Sequence, residues 1–203
     1  MFVALAPVAY VHHLGSRPLV LAAHTKLLWR AWKRGHYEMF AYGRSTEFAP
    51  DLCRVDPKFC NTFFAVLMGP SNNLNQTRLQ VYVSETPAGT SNPNLDHWAQ
   101  GVRRNKFQAY DWGTDENQIR YGQRNPPEYD LSKFVLPVAL FYGDNDYLAD
   151  PEDVQQLIEQ LPPSKIVYQN RQPDYAHCDF VWAPNAAQRI YPQVVQLLTQ
   201  HSA

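Results

Sequence analysis

The clearest folding signal in the chain is the stretch Phe134–Trp182, FVLPVALFYGDNDYLADPEDVQQLIEQLPPSKIVYQNRQPDYAHCDFVW. Its continuous apolar run Val135–Tyr142 predicts a strand that is buried on both faces. Asp150, followed by a proline, predicts a capped helix that continues to Leu161 and stops at a pair of prolines. Lys165–Tyr168 is a second predicted strand. Two strands joined by a helix form a βαβ unit, whose functional groups lie at the carboxyl ends of the strands.

Acidic and histidine side chains follow these two strands. Asp144 and Asp146 come directly after the first strand, and His177 lies in the loop after the second. Because the carboxyl ends of parallel strands meet at one rim of the sheet, an acid and a histidine are predicted to lie close together. The order strand, aspartate, strand, histidine matches the last two members of the Ser…Asp…His order found in α/β-hydrolases.

Five segments of the sequence carry a more specific family resemblance. They are FVALAPVA (Phe2–Ala9), PAGTSNPNLDHWAQGV (Pro87–Val102), KFQAYDWG (Lys106–Gly113), GDNDYLADPEDV (Gly143–Val154) and PDYAHCDFVW (Pro173–Trp182). In this order they resemble the acid lipases, the family of the gastric and lysosomal acid lipases, and they cover the chain nearly end to end. The resemblance implies that Asp146 is the acid of a catalytic triad and that His177 is its general base.

The resemblance implies hydrolysis of carboxylic esters of neutral lipids, triacylglycerol or cholesteryl ester, by a Ser-His-Asp triad. None of the nine glycines begins a G-x-S-x-G motif, and in the family the nucleophile and the oxyanion hole lie upstream of the segment that opens this sequence. The chain therefore resembles the C-terminal half of an acid lipase. Without a nucleophile we expect the chain alone to be inactive. The alternative is a non-catalytic remnant of the fold that binds lipid or a partner.

The predicted fold class is α/β. It is a partial α/β-hydrolase fold, with C-terminal parallel strands, flanking helices and an inserted, mostly helical cap or lid. Residues 1–11 and 131–203 form the C-terminal portion of the core in this prediction, and residues 12–130 form the insertion. Phe2–Val11 is predicted as a strand rather than a signal peptide, because it lacks a preceding basic region and contains a proline.

Two helices of the predicted insertion have distinctive compositions. Arg17–Arg34 gathers cations towards its C-terminal half, and an ordinary solvated basic face is favoured over membrane-surface binding. Lys58–Met68 has almost no polar face, so it either packs in the core or forms a lid that faces lipid, and the resemblance favours the lid. The other predicted segments are a short helix (Asn92–Val102), an extended segment (Lys106–Trp112), a polar connection (Thr114–Asp130) and a closing helix (Asn185–Gln200).

Composition narrows the classes of partner. The chain has 18 basic and 19 acidic residues, so it has no large net field that would attract nucleic acid. No apolar run reaches the roughly 20 residues that a membrane-spanning helix needs. The expected partners are a neutral lipid substrate and, through the lid, a transient contact with a lipid interface.

Several residues near the predicted rim have competing interpretations. Asp144 competes with Asp146 for the role of the acid, because it is only two residues away. An acidic cluster suggests a metal site; its members are Asp144, Asp146, Asp150, His177 and Asp179. A leucine at the third ligand position and a missing glycine argue against a calcium loop, and we expect no metal and no cofactor. Cys178 is predicted to be a small buried residue rather than a nucleophile, and His12 and His13 receive no role.

Two features favour the secretory route. Cys53 and Cys60 are candidates for a short disulfide loop, and the resemblance places a bridge of slightly greater length in this region. Asn75 begins an N-x-T sequon, which is relevant only in a secreted chain. Together they predict a lysosomal or extracellular protein, on the condition that a signal peptide lies in sequence that precedes Met1.

Overall fold

The computed structural model describes residues 1–41 and 43–201 and contains a parallel sheet with flanking helices. The strands are β1 (Phe2–Leu5), β2 (Glu38–Met39), β3 (Thr90–Ser91), β4 (Val138–Gly143) and β5 (Ile166–Gln172). The helices are α1 (Arg17–His24), α2 (Leu27–Lys33), α3 (Arg44–Val55), α4 (Pro57–Met68), α5 (Leu79–Glu85), α6 (Asn92–Arg104), α7 (Thr114–Tyr121), α8 (Pro151–Gln160), α9 (Asp179–Trp182), α10 (Ala186–Arg189) and α11 (Tyr191–Gln200).

The parallel sheet has β4 at its centre, between β1 and β5. All six residues of β4 are buried, as expected for a strand covered on both faces. Both neighbours run parallel to it, with Phe2 opposite Val138 in β1 and Ala139 opposite Tyr168 in β5. Helix α8 connects β4 to β5. The α/β class and the βαβ unit predicted from the sequence are confirmed.

Helix α8 forms as its sequence predicts. The side chain of Asp150 accepts a hydrogen bond from the Glu152 amide at 2.9 Å, and Pro151 occupies the first helical position. Val154 and Leu157 are buried in the core cluster that contains Phe141 of β4. The acidic turn at the end of β4 is therefore held between a buried strand and a capped, packed helix.

Helices α1–α7 all lie in the chain between β1 and β4, although those two strands are neighbours in the sheet. Helix α4 is confirmed, with Asp56 accepting from the Phe59 amide at 3.0 Å and Gly69 following its last residue. Its Phe64 is buried in a small separate cluster, whose other buried members are Cys53, Cys60, Leu79 and Val83. On the same helix Phe59 and Phe63 are each 53% exposed.

The predicted strands are correct in position but differ in extent. β1 ends at Leu5 rather than Val11, because Ala6 adopts a φ of 51° and turns the chain out of the sheet. β4 begins at Val138, and Val135 before it is 71% exposed. β5 continues to Gln172, with side chains that alternate between partly buried and exposed.

Two predicted helices are each divided in two. Residues 17–34 form α1 and α2, since Lys26 takes a left-handed φ of 55° and the Thr25 hydroxyl donates to the Ala22 carbonyl at 2.7 Å. Residues 185–200 form α10 and α11, with the break at Ile190, two residues before a proline. The predicted closing helix is therefore wrong in its continuity.

The polar connection predicted at Thr114–Asp130 contains helix α7, which the apolar pattern did not reveal. Asp115 and Glu116 lie in its first turn, and Gly122 ends it with a φ of 71°. Helix α6 and the extended segment after it are confirmed. In the part of the chain that the structure describes, every helix is too short or too polar to cross a bilayer.

Candidate active site

Asp146 and His177 meet at the carboxyl ends of β4 and β5. The distance from Asp146 Oδ2 to His177 Nδ1 is 3.0 Å. The Asp146 side chain is fully buried, whereas that of His177 is 27% exposed. A carboxylate only accepts hydrogen bonds, so Nδ1 carries the proton and Nε2 is the free acceptor. Within the described residues, Nε2 has no hydrogen-bond partner.

The backbone of the turn after β4 fixes the Asp146 carboxylate. Its second oxygen, Oδ1, accepts hydrogen bonds from the amides of Leu148 and Ala149, each at 2.8 Å. Two amide donors on one oxygen fix the orientation of the carboxylate. Asp146 is thus anchored on one oxygen and directs the other at the imidazole.

Asp144, the competing acid, points elsewhere. Its Oδ1 accepts a hydrogen bond from Nε of Arg171 at 2.5 Å, on a partly exposed surface of the sheet. This pairing raises the pKa of the Arg171 guanidinium through its hydrogen bond to Asp144. The two aspartates are two residues apart but serve different partners, and only Asp146 contacts the histidine.

The other acids of the predicted cluster have structural partners. Asp150 caps α8, and burial raises its pKa. Asp179 accepts from the Ser71 hydroxyl at 2.6 Å and from the Ala176 amide at 2.8 Å, and burial raises its pKa as well. Asp179 therefore braces the histidine loop against the segment that follows α4. Among the described residues, no group of three metal-binding side chains lies together.

Cys178 is a poor nucleophile in this environment. Its sulfur lies 2.9 Å from the sulfur of Met68, and burial raises the pKa of the thiol to about 12. The reactive form of cysteine is the thiolate, which a raised pKa makes scarce at neutral pH. The side chain of Cys178 is partly buried, whereas the sequence predicted a small, buried residue.

The C-terminal end of α4 contacts both loops of the candidate site, a feature that the sequence analysis missed. The carbonyl of Met68 accepts from the amides of Tyr147 and His177, each at 3.3 Å. Gly69 follows with a φ of 105°, and a Cβ there would lie 1.8 Å from the Asn145 carbonyl oxygen. Only glycine fits this close approach. The Gly69-Pro70 pair directly after the helix was the available signal in the sequence.

An apolar cavity of about 370 Å³ lies beside the histidine. Helices α1, α2 and α6 contribute apolar side chains to it, including Leu19, Leu28, Leu95 and Trp98. Among the described residues that line it, His177 is the only polar one. A cavity of this volume and character suits an apolar ligand placed against the imidazole.

The cysteine pair and the Asn75 sequon, which favoured the secretory route, lie in or near the small cluster that contains Phe64. A disulfide joins Cys53 of α3 to Cys60 of α4, with 5.5 Å between the Cα atoms. Asn75 caps a short 3-10 turn, where its Oδ1 accepts from the Thr77 amide at 3.1 Å and from the Thr77 hydroxyl at 2.7 Å.

His12 and His13, which received no role, do have partners: His13 Nδ1 lies 2.9 Å from Asp153 of α8, and His12 Nδ1 lies 2.9 Å from the Val102 carbonyl.

Known proteins of one family are similar to this chain over nearly its whole length. The family described as alpha/beta hydrolase fold matches residues 8–184. Gastric triacylglycerol lipase of Bos taurus is 37% identical over 205 residues, which is 98% of this chain. The chain belongs to the acid lipase family of α/β-hydrolases.

Other members of the acid lipase family show the same relationship. Lipase lipl-1 of Caenorhabditis elegans is 37% identical over 97% of the chain. Lysosomal acid lipase/cholesteryl ester hydrolase of Rattus norvegicus is 40% identical over 142 residues, covering 70% of the chain and 35% of that protein. The chain spans about half the length of the first two relatives, 51% in each case.

Proposed function

We propose that this chain supplies the acid and the base of a Ser-His-Asp hydrolase of carboxylic esters in neutral lipids. Asp146 is the acid and His177 is the base. The sequence contains no G-x-S-x-G motif, and the proposal assigns the serine and the oxyanion hole to residues other than these 203. The names of the relatives point to triacylglycerol or cholesteryl ester as the substrate.

The observation that carries the proposal is the Asp146–His177 hydrogen bond beside an apolar cavity. In the proposed mechanism, Nε2 of His177 takes the proton of the serine hydroxyl and later gives it to the leaving alcohol. Asp146 keeps the imidazole in the correct tautomer and stabilises the imidazolium as it forms. The acyl chain of the ester occupies the cavity, whose apolar lining excludes water from the reacting carbonyl.

The isolated chain is expected to be inactive, since in a well-studied protease the loss of the serine alone costs about six orders of magnitude. The test is hydrolysis of p-nitrophenyl butyrate by the purified chain and by its His177→Ala variant. Equal rates at the background level are expected. Turnover by the wild type above that of the variant would show that a nucleophile is present after all.

The catalytic roles are tested by supplying the missing half. The N-terminal portion of bovine gastric lipase, where the family resemblance places the nucleophile, is fused to residues 1–203, and tributyrin hydrolysis is compared with that of the His177→Ala fusion. Both fusions are first shown to be folded by circular dichroism. We expect activity that His177→Ala lowers by at least about a thousandfold. Equal activity of the folded wild-type and His177→Ala fusions would contradict the assignment of His177 as the general base.

A second candidate function is non-catalytic binding of lipid. It is favoured by the cavity and by the exposed Phe59 and Phe63 of α4. Trp98 lines the cavity, so a brominated fatty acid that enters it quenches tryptophan fluorescence, and Trp98→Phe removes that quenching. Binding by the isolated chain together with an inactive fusion would favour this function over catalysis.

We also propose the roles of the regions around the site. Residues 12–130 form a cap, α4 acts as a lid that contacts lipid, and residues 1–11 with 131–203 complete the hydrolase core. The disulfide between Cys53 and Cys60 and the partly exposed Asn75 support a secretory destination, lysosomal or extracellular, with glycosylation at Asn75. Expression in a secreting eukaryotic host tests this, since Asn75→Gln should abolish a glycosidase-sensitive mass increase.

A further inference from the structure

The first part of the chain has an unusual distribution of charge. Although the chain as a whole has 18 basic and 19 acidic residues, residues 1–37 contain no aspartate or glutamate. The same segment contains five basic side chains: Arg17 at the start of α1, and Lys26, Arg30, Lys33 and Arg34 in or directly beside α2. A nearly neutral protein therefore has one strongly positive region.

These cations are exposed and lack acidic partners. Lys26, Arg30, Lys33 and Arg34 are all exposed, and no ion pair among the described residues includes any of them. The ammonium group of Lys33 lies over the Trp32 ring, 4.9 Å from its centroid. None of the four therefore forms an ion pair with a carboxylate in the described part of the chain, although Glu116 lines the same surface cavity as Lys33.

Helix α2 has an inner face that is already used in packing. Leu28 lines the apolar cavity, and the Trp32 ring packs edge-on against Trp112 at 5.9 Å. At 3.6 residues per turn, Arg30 and Arg34 lie on the side of the helix opposite Leu28 and Trp32, whereas Lys33 lies beside the Trp32 ring. Leu27 and Trp29 flank them and are 60% and 43% exposed. The outer face is thus a basic strip with an apolar side chain on each side.

We propose that this outer face of α2 docks on an anionic lipid surface. Lysine and arginine are attracted by the negative surface potential of such a membrane, while tryptophan and leucine enter the boundary between headgroups and acyl chains. The exposed Leu21 of α1, at 71%, extends the apolar part of this face. A purely solvated basic face would not require large apolar side chains exposed beside the cations.

Docking through the outer face of α2 would bring the lipid surface close to the candidate site. Leu28, on the inner side of α2, and His177 line the same cavity. Lipid that contacts the outer side of α2 therefore lies one helix away from the candidate site. This face is separate from α4, the proposed lid, whose exposed phenylalanines share their helix with one cation, Lys58. The proposal concerns binding alone and holds whether or not the chain takes part in catalysis.

The test is co-sedimentation of the 203-residue chain with vesicles. One set contains phosphatidylcholine only, and the other contains one part phosphatidylserine to three parts phosphatidylcholine. We expect binding to the anionic set and little to the neutral set, with a fall as ionic strength rises from about 0.01 M to about 0.15 M. Arg30→Gln/Arg34→Gln should lower the partition coefficient about 25-fold, since each cation contributes roughly a factor of five.

Two control variants make the test specific to α2. Lys133→Gln/Lys165→Gln removes the same charge at the amino ends of β4 and β5, away from the candidate site, and should change binding by less than about twofold. Arg30→Lys/Arg34→Lys keeps the charge and should bind like the wild type, which also guards against a folding defect. Absence of binding, equal binding to both vesicle sets, or equal loss in the two glutamine variants would each overturn the proposal.

Discussion

The sheet and the helical insertion use apolar side chains in opposite ways. In β4 every residue is buried, whereas α4 buries Phe64 and leaves Phe59 and Phe63 each 53% exposed. Both segments are strongly apolar in sequence, so composition does not decide the difference. The strand is covered by helices and neighbouring strands, while the helix belongs to a small cluster with one open side. Apolar side chains are thus fully enclosed in the central strand and partly open to solvent on α4.

Substitutions of the two aspartates after β4 test which of them is the catalytic acid. In the gastric lipase fusion, we expect Asp146→Asn to lower kcat by about four orders of magnitude, by analogy with the equivalent change in a serine protease. Asp144→Asn is the matched control and should change kcat by less than about threefold, because Asp144 contacts Arg171. A larger loss for Asp144→Asn would reverse the assignment.

Two phenylalanine truncations test the difference in stability. Phe141 of β4 is fully buried, and Phe141→Ala should lower the free energy of unfolding by about 3–5 kcal/mol. Phe63→Ala on the exposed side of α4 should cost less than about 1 kcal/mol. Urea unfolding followed by circular dichroism measures both. Similar losses for the two variants would show that the insertion contributes to the core as much as the sheet does.

The same contrast explains how much of the fold the sequence could predict. The unit from β4 to His177 was predictable because local signals agree: a continuous apolar run, an Asp-Pro cap and paired prolines. The insertion gave weaker signals. Helix α7 has no apolar stripe, and the break between α1 and α2 falls at Lys26, which carries no glycine or proline signal. Such boundaries depend on tertiary contacts that local sequence does not encode.

The candidate site shows the same limit. The meeting of an acid and a histidine followed from strand order, since both occupy a rim that topology defines, whereas the choice of Asp146 over Asp144 rested on the family resemblance. The contact of Met68 with both loops did not, because it joins a helix to loops about 80 and 110 residues further along the chain. The apolar cavity was equally hidden, because most of its lining comes from α1, α2 and α6, which are far in sequence from His177.

The disulfide tests how far the insertion depends on a covalent link. Cys53→Ser/Cys60→Ser opens a loop with a sequence separation of 7 and should cost about 2 kcal/mol in the free energy of unfolding. The loss should fall on α3 and α4 and leave the sheet intact, so limited proteolysis should cut first within residues 44–68. Reductant should destabilise the wild type but not the double variant. Early cleavage within β4 or β5 would contradict this.

The smallest expected effect concerns a contact between the two regions. His13, at the start of the insertion, lies 2.9 Å from the buried Asp153 of α8 and 3.6 Å from Glu152. The hydrogen bond to Asp153 raises the pKa of His13, with Glu152 and Asp150 adding to the effect. This stabilisation is fully present below the ordinary pKa of about 6.5 and is lost as pH rises through the raised value.

His13→Ala should therefore lower stability at pH 5.5 by at most about 1 kcal/mol and have less effect at pH 8.5. Thermal unfolding at the two pH values measures the difference. His24→Ala, which removes a histidine bonded only to the Val20 carbonyl among the described residues, is the control and should show no such pH dependence. A larger effect of His13→Ala at the higher pH would contradict the assigned sign.

The shared acceptor at Met68 has a consequence for local opening. Two amides, those of Tyr147 and His177, depend on one carbonyl at the end of α4. If that helix end separates from the sheet, both amides lose their acceptor in the same event. Their hydrogen-exchange rates are then governed by one opening equilibrium and report it together, although 30 residues separate them in the chain. Movement of the insertion is thus linked, through a single peptide group, to the order of the loops that hold the aspartate and the histidine.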